Sequence, residues 1–225
     1  YSYLIINEQQ STACVIDPGE ADPIIKYLEE NKINLKFILN THHHYDHING
    51  NSKLKKKYGS KIIGYRDDQK KIPEIDILVD DQEIWRDDKF EAKIIHIPGH
   101  TEGHICFYFH KEKSAFTGDT LFSLGCGKIF EGTYSQMFNS FKKLKYLPED
   151  TKIYFGHEYT LQNSKFCIKY DKNNENLKNK IVEIKNKLKN KMPTCPTTIK
   201  DELECNIFFR SDNVETFSKL RDLKD

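Results

Sequence analysis

THHHYDH, residues 41–47, places four of the chain's nine histidines and one aspartate within seven positions. Imidazole is the commonest side-chain metal ligand at neutral pH, and carboxylate adds a harder, negatively charged one. A solitary histidine ordinarily reads as a surface or hydrogen-bonded core residue. Four of them at the end of a strand, with an aspartate beside them, read as a metal site. The apolar stretch KFILN (36–40) leads into the cluster, so extended backbone is expected to carry His42 and His44 to one face and His43 to the other. A loop after them would swing Asp46 and His47 to a neighbouring position, where they serve a second cation.

Upstream, YSYLII and TACVID flank the polar turn NEQQS and read as a hairpin, and ADPIIKYLEENKI carries Ile24, Ile25 and Leu28 at helical spacing. Downstream, NSKLKKKYG reads as a helix and KIIGY as a strand. Residues 74–99 read as a set of short strands with acidic turns, HICFYFHKEKSAFTGD as a second hairpin, SQMFNSFKKLKYLP as a helix ended by Pro148, and TKIYFGHEYT as a last strand. Strands gather in hairpins rather than in strict β-α alternation, which predicts an α+β class with stacked sheets flanked by helices. After residue 160 the character changes. Leu177, Ile181, Ile184 and Leu188 fall four, three and four apart, predicting a helical piece over 161–225 with no further strand.

Further ligands are available in a repeated local form. Gly99-His100, Gly118-Asp119 and Gly156-His157 each put a glycine before a metal-capable side chain at the end of an apolar segment. Glycine permits tight turns there, so three strand ends can deliver ligands to one sheet edge. His100 would complete the set of His42 and His44, and His157 that of Asp46 and His47. Asp119, with two oxygens, can serve both cations, a pairing suited to activating water and polarising an acyl carbonyl. The other histidines read more plainly. His96 suits a core or supporting role, His104 a hydrogen bond that orients a ligand or the loop, His110 an exposed position, and His43 support or packing.

Composition narrows the function. Of 225 residues, 35 are Lys or Arg and 34 Asp or Glu. Residues 161–225 hold 14 basic against 10 acidic residues and the first 160 hold 21 against 24, so the helical piece is the basic one. Most of these lysines read as a solvated helix face, and no dense basic patch with interleaved aromatics supports a nucleic-acid partner. No apolar run approaches the roughly 20 residues of a membrane helix, and YSYLIINEQQ lacks the pattern of a secretion signal; a cytoplasmic protein without a membrane partner is expected. The six cysteines lie far apart with no C-x-x-C pair, predicting reduced thiols rather than a zinc-thiolate or redox motif.

THHHYDH, PGHT (98–101), TGDTL (117–121) and GHEYT (156–160) resemble the successive metal motifs of the metallo-β-lactamase superfamily, whose fold is an αββα sandwich. GCGKIFEGT (125–133), Glu158-Tyr159-Thr160 and the helical C-terminal stretch resemble, more narrowly, the glyoxalase II family of hydroxyacylglutathione hydrolases. That resemblance covers essentially the whole chain. It implies a catalytic domain over 1–160, an α-helical glutathione-binding domain over 161–225, and a monomer acting on a small-molecule glutathione thioester such as S-D-lactoylglutathione. It also implies two metal ions, zinc first with iron or manganese acceptable to the same ligands. His42, His44, His100 and Asp119 would hold one; Asp46, His47, His157 and Asp119 the other. Asp46 and Asp119 carry the catalytic role. Lys128, Phe130, Tyr159, Arg221 and Lys224 match glutathione contacts, the last two for the glycine carboxylate. Phe130 stands where many relatives place tyrosine, removing one hydroxyl, and Gly99 replaces a cysteine found in some. A persulfide dioxygenase with a single iron is the alternative on the same framework; oxygen consumption would mark it. A non-catalytic binder of glutathione conjugates would require a broken ligand set.

Overall fold

A computed structural model describes residues 1–87 and 89–224. Asp88, within the 74–99 run of strands, and Asp225, at the end of the helical stretch, lie outside the described residues. The chain forms two compact units, residues 1–96 with 103–107, and residues 97–102 with 108 onward.

The first unit contains β1 (Tyr3–Asn7), β2 (Thr12–Ile16), α1 (Asp22–Glu30), β3 (Asn34–Leu39), α2 (Tyr45–Ile48), α3 (Asn51–Tyr58), β4 (Lys61–Tyr65), β5 (Ile77–Val79), β6 (Ile84–Arg86) and β7 (Glu91–His96). The expected hairpin is present, β1 pairing β2 antiparallel with Tyr3 opposite Ile16. From β2 the sheet continues in parallel through β3, β4 and β5. Parallel neighbours need crossovers, and α1 and α3 supply them. Pro23 pre-sets the first turn of α1, and its buried Ile24 and Leu28 join Val15, Leu35, Ile38, Leu54 and Ile62 in one apolar cluster. Each such side chain contributes about 1.5–3 kcal/mol when fully buried. Facing the other side of β3, Phe37 meets Trp85 of β6 edge-on at 5.1 Å and Phe90, just before β7, at 6.4 Å; β6 and β7 pair antiparallel.

β8 (Ile105–Phe109) carries the chain into the second unit. There follow β9 (Ser114–Gly118), β10 (Leu121–Phe122), β11 (Gly125–Cys126), α4 (Tyr134–Lys145), β12 (Lys152–Phe155), α5 (Thr160–Tyr170), α6 (Glu175–Lys189), β13 (Thr197–Thr198), α7 (Ile199–Cys205) and α8 (Val214–Lys224). β12 runs parallel to β9, Ile153 beside Ala115. α4 opens with a reciprocal cap, the Thr133 side chain accepting from the Gln136 amide and Gln136 reaching back to the Thr133 amide. The helical stretch holds one strand that the sequence does not announce. β13 pairs antiparallel with β12, Thr197 opposite Ile153, and two residues are too few to show a period of two. Phe141, Phe209 and Phe217 pack edge-on within 5.4–5.6 Å and tie α4 to α8. All six cysteines are present as thiols, five of them buried.

Candidate metal centre

β3 stops at Leu39, so His42 and His44 sit in irregular backbone beyond the strand rather than within it. The step that follows is a single helical turn, α2, rather than the expected loop; it carries Asp46 and His47. His42 and His44 still meet, their rings 4.8 Å apart, and the His47 ring lies 4.2 Å from that of His42.

Hydrogen bonds fix which ring nitrogen of each histidine carries its proton. Asp17 Oδ2 accepts from Thr41 Oγ1 at 2.6 Å and stands 3.0 Å from His47 Nδ1. A carboxylate only accepts, so His47 Nδ1 donates. Thr41 has one hydroxyl proton, and it goes to Asp17. His42 Nδ1, 3.0 Å from the same hydroxyl oxygen, therefore donates to it. In both rings this leaves Nε2 as the lone-pair nitrogen, the state a metal ligand requires. Asp17 and both rings are buried, and its Oδ1 also accepts from the Thr41 amide at 2.8 Å. Sequence reasoning missed Asp17, which lies 30 residues from His47; the parallel β2–β3 pairing brings it there. His104 stacks on His42 at 4.6 Å, His43 Nδ1 lies 3.2 Å from Asp68 Oδ2, and His96 stacks on Tyr65 at 4.5 Å.

The second unit assembles its own group. Gly118 closes β9 with φ 47°, a conformation glycine adopts without strain, and turns Asp119 inward. One oxygen of the buried Asp119 lies 3.6 Å from His100 Nε2 and 3.1 Å from His157 Nε2. His100 Nδ1 is 2.7 Å from the Lys128 carbonyl oxygen, which again fixes the proton on Nδ1. In the first unit His42 and His47 present Nε2 as the lone-pair nitrogen, with Asp46 Oδ2 3.7 Å from His47 Nε2, and in the second unit His100 does so beside Asp119. This donor chemistry fits divalent cations such as zinc.

Residues 1–157 match the profile of the metallo-β-lactamase superfamily, and residues 158–225 that of the hydroxyacylglutathione hydrolase C-terminus. A hydroxyacylglutathione hydrolase of Pelagibacter ubique (strain HTCC1062) is 69% identical over 225 residues, covering 100% of this chain and 94% of the relative. The chain belongs to the hydroxyacylglutathione hydrolase family. Another member, from Prochlorococcus marinus (strain MIT 9301), is 42% identical over 96% of this chain and 89% of its own. Among solved structures, ETHE1 from Myxococcus xanthus superposes with a TM-score of 0.77 at 23% identity, covering 99% of this chain and 84% of its own. The BLEG-1 B3 metallo-β-lactamase gives 0.73 at 21%, covering 93% and 94%. These two establish the metallo-β-lactamase fold, here followed by the helical stretch characteristic of hydroxyacylglutathione hydrolases.

The five expected glutathione contacts of this hydroxyacylglutathione hydrolase all lie in the second unit. Lys128 is exposed with Nζ 5.9 Å from the exposed ring of Phe130, and Tyr159 stacks on His157 at 5.1 Å. Lys224 donates to Asn163 Oδ1 and sits 5.6 Å from the rings of Phe166 and Phe208. Arg221 is placed differently from an open carboxylate clamp. It is only 3% exposed, and Nη1 donates to the Cys126 carbonyl at 2.6 Å. Among the described residues, no helix is long and apolar enough to cross a membrane.

Proposed function

We propose that the chain hydrolyses S-D-lactoylglutathione and related hydroxyacylglutathiones to the hydroxyacid and glutathione, using two zinc ions. The reading assigns one cation to His42, His44, His100 and Asp119, and the other to Asp46, His47, His157 and the same Asp119. The single observation that carries it is the Asp119 oxygen within 3.6 Å of two imidazole nitrogens whose family motifs supply opposite ends of the ligand set. When bound, the cations supply Lewis-acid polarisation of the thioester carbonyl and acidify a water.

The chain's own groups do the rest. Asp46, 59% exposed at the side chain, accepts a hydrogen bond from the attacking water and orients it. Water adds its oxygen to the carbonyl carbon, the carbon–sulfur bond breaks, and the sulfur leaves as glutathione thiolate. A free thiol has a pKa of about 8.5, so no dedicated acid is needed to assist its departure. Asp17 and the Lys128 carbonyl keep His47 and His100 in the tautomer that ligation requires. Lys128, Phe130 and Tyr159 take the tripeptide, Lys224 and Arg221 provide positive charge at the end of α8 for its glycine carboxylate, and residues 161–225 act as the glutathione-binding domain behind catalytic residues 1–160. Reduced thiols throughout suit a cytoplasmic monomer.

The test is hydrolysis of S-D-lactoylglutathione before and after chelation, with elemental analysis of the same sample and of Asp119→Asn. Turnover lost with the metal, restored by zinc and reduced by about a thousandfold or more in the variant supports the reading. Undiminished turnover in metal-free protein refutes it.

A further inference from the structure

The tip of the β10–β11 hairpin is a two-residue turn, Ser123-Leu124, that is fully buried. Turns normally lie at the surface because their backbone polar groups need water. Here side chains of the helical stretch take water's place. Asn163 Nδ2 donates to the Ser123 carbonyl at 3.0 Å, and Cys167 Sγ to the Leu124 carbonyl at 3.1 Å. The Leu124 amide donates to Glu202 Oε2 at 2.9 Å, and Asn206 Nδ2 to the Gly125 carbonyl at 3.1 Å. Glu202 and Asn206 are also bonded to each other at 2.8 Å, and both are completely buried. Leu124 holds φ 57°, a left-handed conformation that is strained for a residue with a Cβ and persists only where the surroundings enforce it.

The grip reaches the metal ligands along a short, rigid stretch of backbone. Immediately after the hairpin, Gly127 donates its amide to the Thr120 carbonyl. A Cβ on Gly127 would fall 1.8 Å from the Asp119 carbonyl oxygen, so the backbone here packs directly against Asp119, with His100 Nδ1 at ordinary contact distance, 3.6 Å from that point. The next residue, Lys128, offers the carbonyl to which His100 Nδ1 donates at 2.7 Å.

We infer that Glu202 and Asn206 are positioning residues for the hydrolysis: by clamping the buried hairpin turn they hold the Lys128 carbonyl where it fixes the proton and orientation of His100. Neither residue touches the substrate or the reacting atoms. The role in turnover rests on the hydrolysis proposed above; the role in holding zinc rests only on the metal-ligand assignment made there.

The experiment uses the zinc-loaded full chain and three variants. Glu202→Leu removes the acceptor for Leu124. Asn206→Asp removes the donor to Gly125 while retaining the acceptor that serves the Phe208 and Phe209 amides. Glu202→Gln keeps an acceptor for Leu124 and Asn206 and can donate to Thr197, so it is the conservative rescue. The first two should lose zinc to a chelator about tenfold faster and lose about tenfold in kcat with KM within about twofold. Their imidazole nitrogen spectra should show His100 departing from the single Nδ1–H form, and Glu202→Gln should match the parent in all three. Glu202→Leu or Asn206→Asp that folds yet keeps the parent's zinc-loss rate and His100 signal overturns the inference. So does a Glu202→Gln as impaired as Glu202→Leu. Should Glu202→Leu fail to fold, Asn206→Asp decides. A parent chain that cleaves no glutathione thioester sinks the functional reading alone, because zinc loss and the His100 signal are read without substrate.

Discussion

Replacing Glu202 by glutamine should change how stability depends on pH. The Glu202 carboxyl accepts from Leu124, Thr197 and Asn206, but burial outweighs these bonds and pushes its pKa from 4.5 to about 7. The folded chain therefore holds a proton there that the unfolded chain has already released between pH 4.5 and 7. Stability from this group is fully present below pH 4.5 and declines as pH rises through about 7. Each tenfold in proton affinity is worth about 1.4 kcal/mol, so the loss amounts to about 3 kcal/mol by pH 8. The amide of Glu202→Gln is never charged. It places its oxygen toward Leu124 and Asn206 and its NH2 toward Thr197, whose hydroxyl can turn to accept. Urea unfolding of both zinc-loaded proteins at pH 5, 6, 7 and 8 should thus show the variant gaining on the parent by about 2.5 kcal/mol between pH 5 and pH 8. Every other titrating group is common to both proteins and cancels in the difference. A difference that stays constant across the series would refute the reasoning, because it would mean that Glu202 ionises equally in the folded and unfolded chains.

Asp17→Asn should weaken zinc affinity by about 10–100-fold in chelator competition, since an amide whose oxygen serves Thr41 Oγ1 and His47 turns its NH2, a donor, toward the Thr41 amide that Oδ1 now accepts. Asp17 has φ 47°, which asparagine tolerates, so an unchanged affinity could not be blamed on a rearranged backbone. Lys224→Ala should raise KM for the glutathione thioester by about tenfold with little change in kcat, as loss of a charge-assisted substrate contact does, and should lower the unfolding midpoint less than loss of the more deeply buried Arg221. Arg221→Ala should raise KM and also destabilise by about 3 kcal/mol, because it orphans the Cys126 carbonyl and leaves a void against Phe208. Equal stability of the two variants would contradict the placement of Arg221.

The residues of the candidate metal centre were legible as candidates because each stands in a short motif at the end of an apolar run, where chemistry and local spacing agree. The hairpin β1–β2, the helices α1, α3 and α4 and the basic helical stretch were legible for a related reason: their apolar residues repeat over several turns or strand positions. What escaped depends on partners distant in sequence. Asp17 is one carboxylate among 34 acidic residues, and only the parallel alignment of β2 with β3 puts it under His47. β13 is two residues long, and α2 is one helical turn crowded with histidine, so neither offers enough positions to show a period. RDLK marked a cation near the end of the chain, but not that Arg221 is buried with its guanidinium donating to the Cys126 carbonyl, a partner far away in sequence.

The interior cysteines bear on what such a chain can tolerate around it. Burial pushes the thiols of Cys167 and Cys205 up to about 12, so at neutral pH only about one in a hundred thousand of either is the nucleophilic anion. A hydrolase that discharges glutathione at every turnover works beside a pool that also contains the oxidised dimer. With those two sulfurs so reluctant to ionise, mixed disulfides are slow to form on them, and oxidative stress would reach the enzyme through its supply of substrate before it reached these thiols.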